Sequence, residues 1–259
     1  MYYRPRVIPC LSITGEHDLV KTTKFSNPRY LGDPINAVKI FNDKGVDELC
    51  ILDITASKTG KAPDFNYIKG IASEAFMPLS YGGGITNIEH IKKIFHMGYE
   101  KVIINTAFYH NPKLITEAAN LAGSQSIVVS IDVKNDMFGR KKCYVCGGTE
   151  KTGKDPIEMI KLAESLGAGE ILMNSITNDG TMKGYDIKLI SDVVEVVNVP
   201  VIACGGAGTV QDLKKALFEG NAHAVAATSL FVYYGSEKAV LINMPDEKEL
   251  IELGVYQQN

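Results

Sequence analysis

Apolar positions in the chain gather into short runs, each followed by a segment of helical period. Eight such runs stand out: 6–13, 49–54, 77–81, 102–105, 127–133, 170–174, 199–203 and 224–227. They are continuous and aliphatic rather than alternating, the pattern of strands buried on both faces of a parallel sheet. Short polar residues mark the helix starts. Asp33-Pro34 opens the amphipathic stretch from Ile35 to Lys44, which Gly45 ends, and Asp64, Asn87, Asn111-Pro112, Asp155-Pro156, Asp186 and Thr209 open the others. A polar, glycine-bearing loop runs from the first strand through Asn27, and its length predicts a functional segment able to fold over a site. Eight strand–helix units in 259 residues predict one α/β domain spanning 1–259, built as a parallel barrel or a doubly wound sheet.

An internal repeat decides between the two. A shift of 122 residues pairs Glu48 with Glu170, Ile54-Thr55 with Ile176-Thr177, Lys61 with Lys183 and Asp64 with Asp186. Without a gap it also pairs Pro78 with Pro200, Gly83-Gly84 with Gly205-Gly206, Gly98 with Gly220 and Thr106 with Thr228. Two four-unit halves close naturally into a (β/α)8 TIM barrel with a twofold internal repeat. In each half an apolar strand breaks into glycines, where backbone N–H groups can approach an anion closely. The expected cups are Gly83 and Gly84 with Asn105 and Thr106, and Gly205 and Gly206 with Thr228 and Ser229. The Gly208 N–H is expected to help, with Thr209 opening the next helix. Duplicated turns would give the same glycines, but hydroxyls recurring beside them in both halves favour anion binding. Two cups on the C-terminal face imply a phosphorylated small molecule with anionic groups at both ends.

Composition narrows the partners. With 45% hydrophobic residues, 22% charged and a formal net charge of −3, the chain has no basic field for nucleic acid or an anionic membrane. The opening Met1-Tyr-Tyr-Arg-Pro-Arg6 lacks a signal-peptide core, and no apolar run reaches the roughly 18 residues of a spanning helix. A cytoplasmic location follows. Of the five cysteines, Cys10, Cys50 and Cys204 lie inside strand-like runs and are expected to pack as small hydrophobes. Cys143-Tyr-Val-Cys146 has metal or redox spacing but no second pair, no nearby histidine in sequence and no following helix. No metal site and no cofactor are therefore assigned.

The motifs carry a resemblance. Val7-Ile-Pro-Cys-Leu, Leu52-Asp-Ile-Thr-Ala-Ser57, Tyr81-Gly-Gly-Gly-Ile85, Ser130-Ile-Asp132, Gly167-Ala-Gly-Glu-Ile-Leu172, Asp179-Gly-Thr181, Gly184-Tyr-Asp186 and Cys204-Gly-Gly-Ala-Gly208 closely resemble the cyclase subunit of imidazole glycerol phosphate synthase, HisF. The resemblance runs from about residue 6 to 231. It implies a barrel that receives ammonia from a HisH-type glutaminase in a heterodimer and passes it to the C-terminal face. There, two carboxylates act as acid and base on a bis-phosphorylated ribonucleotide. One carboxylate matches Asp132; the other, in the family's Cys-Leu-Asp, matches Ser12. A serine hydroxyl cannot exchange protons as a tuned aspartate does, and Glu16 and Asp18 are the nearest stand-ins. The family's charged gate at the base matches Arg6, Glu48, Lys101 and Glu170, all present. Lys21, Asp179 and Gly180 join the phosphate-binding set by the same resemblance.

One branch is similar in further pieces: Leu19-Val-Lys-Thr22, Lys24-Phe25, Gly32-Asp-Pro-Ile-Asn-Ala-Val-Lys-Ile-Phe41, Met182-Lys-Gly-Tyr-Asp186 and Ala239-Val-Leu-Ile-Asn243. These are the HisF-like acetamidino modification proteins of bacterial surface-sugar pathways, which work with a glutaminase and a sugar amidotransferase. An added connection from Phe231 to Pro245 fits that branch. Three readings stand at this point: the ammonia-delivering acetamidino subunit, favoured by Ser12 and the intact gate; a histidine-pathway cyclase; and a phosphate-binding scaffold without catalysis.

Overall fold

The computed structural model describes residues 2–258. Eight parallel strands form a closed barrel: β1 (Arg6–Ile13), β2 (Leu49–Asp53), β3 (Leu79–Gly82), β4 (Lys101–Ile104), β5 (Ile127–Asn135), β6 (Glu170–Ser175), β7 (Val201–Cys204) and β8 (Ala224–Ala227). Each strand pairs with the next, and β8 pairs with β1 in the register Ala224↔Arg6, so no barrel edge is left open. The barrel foreseen from the repeat is the fold observed.

Helices cover the outside: α1 (Pro34–Lys44), α2 (Phe65–Glu74), α3 (Ile88–His96), α4 (Lys113–Ala122), α5 (Pro156–Ser165), α6 (Ile187–Val194), α7 (Val210–Phe218) and α8 (Glu247–Glu252). Side chains of Asp33, Asp64, Asn87, Asp155, Asp186 and Thr209 accept N–H groups in the first turns of their helices, as expected. Asn111-Pro112 differs: Pro112 itself takes the cap position of α4 and no side chain caps it. None of the helices among the described residues is long and apolar enough to cross a membrane.

Side chains alternate between two separate cores. Outward residues such as Val7, Leu11, Ile51 and Val129 join the large core under the helices. Inward residues form a second cluster of Ile8, Cys10, Cys50, Ile103, Val128, Leu172, Ile202, Cys204, Ala224 and Ala226. The interior is therefore packed rather than hollow.

Two connections depart from the expected loops. Residues 14–27 are not an open loop: Leu19–Thr23 and Ser26–Gly32 form a β-hairpin that continues the sheet through Ser12↔Val20 and Ile13↔Leu19. A polar segment suits either state, and pairing to the end of β1, where Ser12 and Ile13 run on past the last β8 partner at Pro9, decides it. The connection 231–245 likewise contains a small ladder, Tyr233↔Val240 and Tyr234↔Ala239.

The repeat is visible in geometry. Asp64 accepts the Tyr67 N–H at 3.1 Å and Asp186 accepts the Leu189 N–H at 3.0 Å, positions related by the same shift. Gly83 (φ +117°) lies where a Cβ would stand 2.4 Å from the Asp53 carbonyl oxygen; at Gly205 (φ +86°) it would stand 2.7 Å from that of Ser175. Both glycines are required because the chain crosses itself there, whatever else they bind. Gly205→Ala is expected to cost roughly 1–3 kcal/mol, read from the denaturation midpoint at constant slope; a change within 0.5 kcal/mol would refute this packing role.

Candidate functional site

The inward residues form layers along the barrel axis. At the base, Arg6, Glu48, Lys101 and Glu170, all at or next to strand starts, make a closed ring. Arg6 donates to Glu48 at 2.6 Å and to Glu170 at 2.6 Å; Lys101 donates to the same carboxylates at 2.9 and 3.0 Å. Glu48 and Glu170 are buried, and burying them alone would be costly, so each carboxylate is held by both cations. The two acids are repeat partners, whereas the repeat partners of Arg6 and Lys101 are Val128 and His223. The four predicted gate residues thus meet in one neutral cluster.

Above the ring lies the apolar inner cluster, and above that opens the principal pocket, lined by Ser12, Lys21, Gly83, Asn105, Asp132, Asn174 and Asp179 among others. Asp132 is its buried central carboxylate. Ser130 Oγ donates to it at 3.4 Å. Burial pushes its carboxyl up to about 7; hydrogen bonds from Asn174 and Ser130 oppose the rise, and Asp179 adds to it. Such a group can take or give a proton near neutrality. Ser12 is buried in the same pocket with no charge to offer. Glu16 is exposed, and neither it nor Asp18 lines the pocket, so the stand-in carboxylates are not brought to the site.

The two cups are placed as matched corners, with differences in detail. The N–H groups of Gly83, Gly84, Gly205 and Gly206 have no partner among the described residues. The Gly208 N–H, expected to face an anion, instead donates to Asp212 at 3.0 Å. Asp212 also completes a capping box with Thr209, so the first turn of α7 is already satisfied. Thr228 Oγ1 donates to the Cys10 carbonyl, while the Ser229 hydroxyl is buried without a partner. In the first half, Asn105 Nδ2 donates to the Ser130 carbonyl at 2.9 Å and Thr106 Oγ1 accepts the Cys146 N–H at 3.0 Å.

Lys21, expected to reach a phosphate, is buried and donates to both Asp179 oxygens at 2.7 and 2.9 Å. The hairpin is latched there a second time, by the Lys24 N–H on the Asp179 carbonyl at 2.9 Å. Gly180 lies tight against the Thr22 carbonyl, where a Cβ would come within 2.3 Å. Asp179 and Gly180 therefore hold the hairpin down over the pocket as the structure stands.

The sequence is similar to a known family along most of its length. The family model described as histidine biosynthesis protein matches residues 6–236. A Leptospira interrogans protein, provisionally named imidazole glycerol phosphate synthase subunit HisF, is 48% identical over 247 residues, covering 95% of this chain and 97% of its own. A Vibrio vulnificus protein with a corresponding provisional name is 49% identical over 254 residues, covering 96% and 97%. Alkaliphilus metalliredigens supplies one named imidazole glycerol phosphate synthase subunit HisF without that qualifier, 42% identical over 228 residues, covering 88% and 90%. The chain belongs to the HisF family.

Within this HisF-family site, sequence reasoning missed Asn174. Its Oδ1 is buried without a partner and the residue lines the pocket. Counting in twos from Glu170 through Leu172 along β6 points Asn174 inward and would have found it. The Lys21–Asp179 pair had no such signal, because 158 residues separate its members.

The state of Asp132 has a measurable consequence. Between the ordinary carboxylate range near pH 4 and about 7, the folded chain binds a proton that the unfolded chain releases, so stability falls as pH rises through that window. Asp132→Asn is expected to raise stability by a few kcal/mol at pH 8, with the gain fading as pH drops toward 4. Urea melts of both proteins across that range check it; a gain independent of pH contradicts the assignment.

Proposed function

We propose that this HisF-family chain is the ammonia-receiving subunit of a glutamine-dependent amidotransferase. In this reading a HisH-type glutaminase docks at the ring end of the barrel. Ammonia passes through the interior and supports conversion of an acetamido to an acetamidino group on a bacterial surface or flagellar sugar precursor, with a sugar amidotransferase as a further partner. The observation that carries it is the contrast between the two ends: an intact four-charge ring below, and above it a pocket that holds Asp132 but has Ser12 at the position that the resemblance gives to the second carboxylate.

The interior supports the ammonia step. Small side chains on adjoining strands, Ala224 and Ala226 on β8, Cys10 on β1, Cys50 on β2 and Ser80 on β3, leave the least bulky side of the inner core. An apolar lining disfavours a charged ammonium ion and tolerates neutral ammonia. Ser80 Oγ, buried without a partner, offers one hydrogen-bonding stop on the way. The ring must open for passage, since its cations and carboxylates are in direct contact.

A histidine-pathway cyclase is the second reading, favoured by the two cups and by the proton affinity of Asp132. Ring opening of the ribonucleotide and closure of the imidazole need proton transfer at more than one place, and loss of one such group costs about 10²–10⁴ in rate. Chain supplied with ammonia and the ribonucleotide intermediate is accordingly expected to make imidazole glycerol phosphate at least about a hundredfold more slowly than a cyclase with both carboxylates. A normal rate would overturn the preferred reading. Independently, Lys101→Ala, in complex with its glutaminase and with dichroism confirming the fold, is expected to uncouple glutamine hydrolysis from amination. Unchanged coupling would remove the ring from the ammonia route.

A further inference from the structure

The two cysteines of Cys143-Tyr-Val-Cys146 separate in the fold. Cys143 is buried in the strand Lys141–Val145 against the core. Cys146 begins the turn that joins this strand to Glu150–Lys151, and its side chain leaves the core entirely. There it meets two residues that the sequence keeps apart. His110 ends the short helix Thr106–His110 that follows β4, and Glu150 opens the returning strand of the hairpin. Cys146 Sγ stands 3.5 Å from Glu150 Oε2, and His110 Nε2 stands 4.0 Å from the same oxygen. One thiol sulfur, one imidazole nitrogen and one carboxylate oxygen all lie within 4.8 Å of one another.

The geometry points to a divalent metal site of the zinc class, formed by His110, Cys146 and Glu150. Zinc accepts this mixed donor set, at about 2.3 Å to sulfur and 2.0–2.2 Å to nitrogen and oxygen. A tetrahedral arrangement at those lengths separates its donor atoms by roughly 3.3–3.6 Å; the thiol–carboxylate pair already stands at 3.5 Å, while the exposed imidazole, 4.0 Å from the carboxylate, has to draw in by about half an ångström. A thiolate and a carboxylate together neutralise a divalent cation, and the imidazole supplies a neutral third ligand. Three protein donors leave a fourth position for water or an anionic oxygen from solution, as in open zinc sites.

The donors are held in place without the ion. Cys146 sits in the left-handed region (φ +52°), which a cysteine occupies only when other contacts fix it. Two such contacts are present: its N–H donates to Thr106 Oγ1 at 3.0 Å, and its carbonyl accepts the Thr149 hydroxyl at 2.8 Å. Thr106 begins the same short helix that His110 ends, so one element anchors the turn at its start and presents the imidazole at its end. The Tyr109 ring packs edge-on against that of His110, with centroids 5.1 Å apart. Through Thr106 the site is one hydrogen bond from the first-half anion cup, and a bound cation would add positive charge beside it. None of this depends on the ammonia reading.

The test uses the full chain, stripped with a chelator and titrated with zinc by calorimetry. Wild type is expected to bind one equivalent, with affinity about tenfold or more weaker in His110→Ala, Cys146→Ser and Glu150→Gln. These exposed or half-exposed positions leave the fold intact by dichroism. Cobalt in place of zinc is expected to give a thiolate charge-transfer band that Cys146→Ser abolishes. Cys143→Ala is expected to bind like wild type. No zinc uptake overturns the proposal, as does uptake that the three variants leave unchanged, which would mean an adventitious ion or the interior thiols. Loss of binding in Cys143→Ala matching that in Cys146→Ser would overturn the donor set in favour of a cysteine pair.

Discussion

A strand that alternates its side chains every two residues, closed into a ring of eight, has only one way to dispose of its inward positions: they stack in layers along the barrel axis. The charged ring, the inner core and the polar groups at the strand ends follow from that constraint. The first inward residues are the charges of the base, the next are aliphatic or small, and the last, at the strand ends, are the polar groups of the pocket. Along β6 the sequence Glu170, Leu172, Asn174 shows the three layers in a single strand, and along β1 Arg6, Ile8, Cys10 and Ser12 show them again. Moving any strand by one residue would drive the charges into the helix layer and the aliphatic residues of the outer core into the barrel.

Each layer settles its electrostatics differently. At the base, two carboxylates and two cations cancel at hydrogen-bonding distance, which makes burial tolerable and closes the barrel. At the top, Asp132 has no ion pair among the described residues, so burial moves its proton affinity instead. The one buried lysine of the pocket is committed to Asp179, an attachment that fixes the hairpin rather than the charge of Asp132. Of the carboxylates lining the pocket, Asp179 is paired with Lys21 and Asp53 accepts the N–H groups of Thr55 and Ala56, whereas Asp132 is held by the neutral side chains of Ser130 and Asn174.

The twofold repeat explains both what is shared between the halves and what is not. Shared are the acids of the ring, the helix caps Asp64 and Asp186, and the glycines whose missing side chains let the chain cross itself. Unshared are the ring's cations, the central carboxylate and the hydroxyl environment of the cups, where Thr228 donates to Cys10 while Thr106 accepts from Cys146. The repeat gives the frame, and the differences between the halves make the two ends and two corners of the barrel chemically distinct.

The resemblance to HisF named the residues of the ring; the patterning of the sequence itself determined the barrel, its eight strands to within a few residues, nearly all its caps and the repeat. These are carried by local period and by spacing along the chain, and each needs only a short window or one constant shift to be seen. The tertiary structure alone decided that residues 14–27 are a paired hairpin latched down by Lys21 on Asp179, and that His110 and Glu150 gather around Cys146. Such contacts join side chains from separate loops at the C-terminal ends of the strands. No periodicity along the chain encodes the distance between two loops; only the closure of the barrel brings them together.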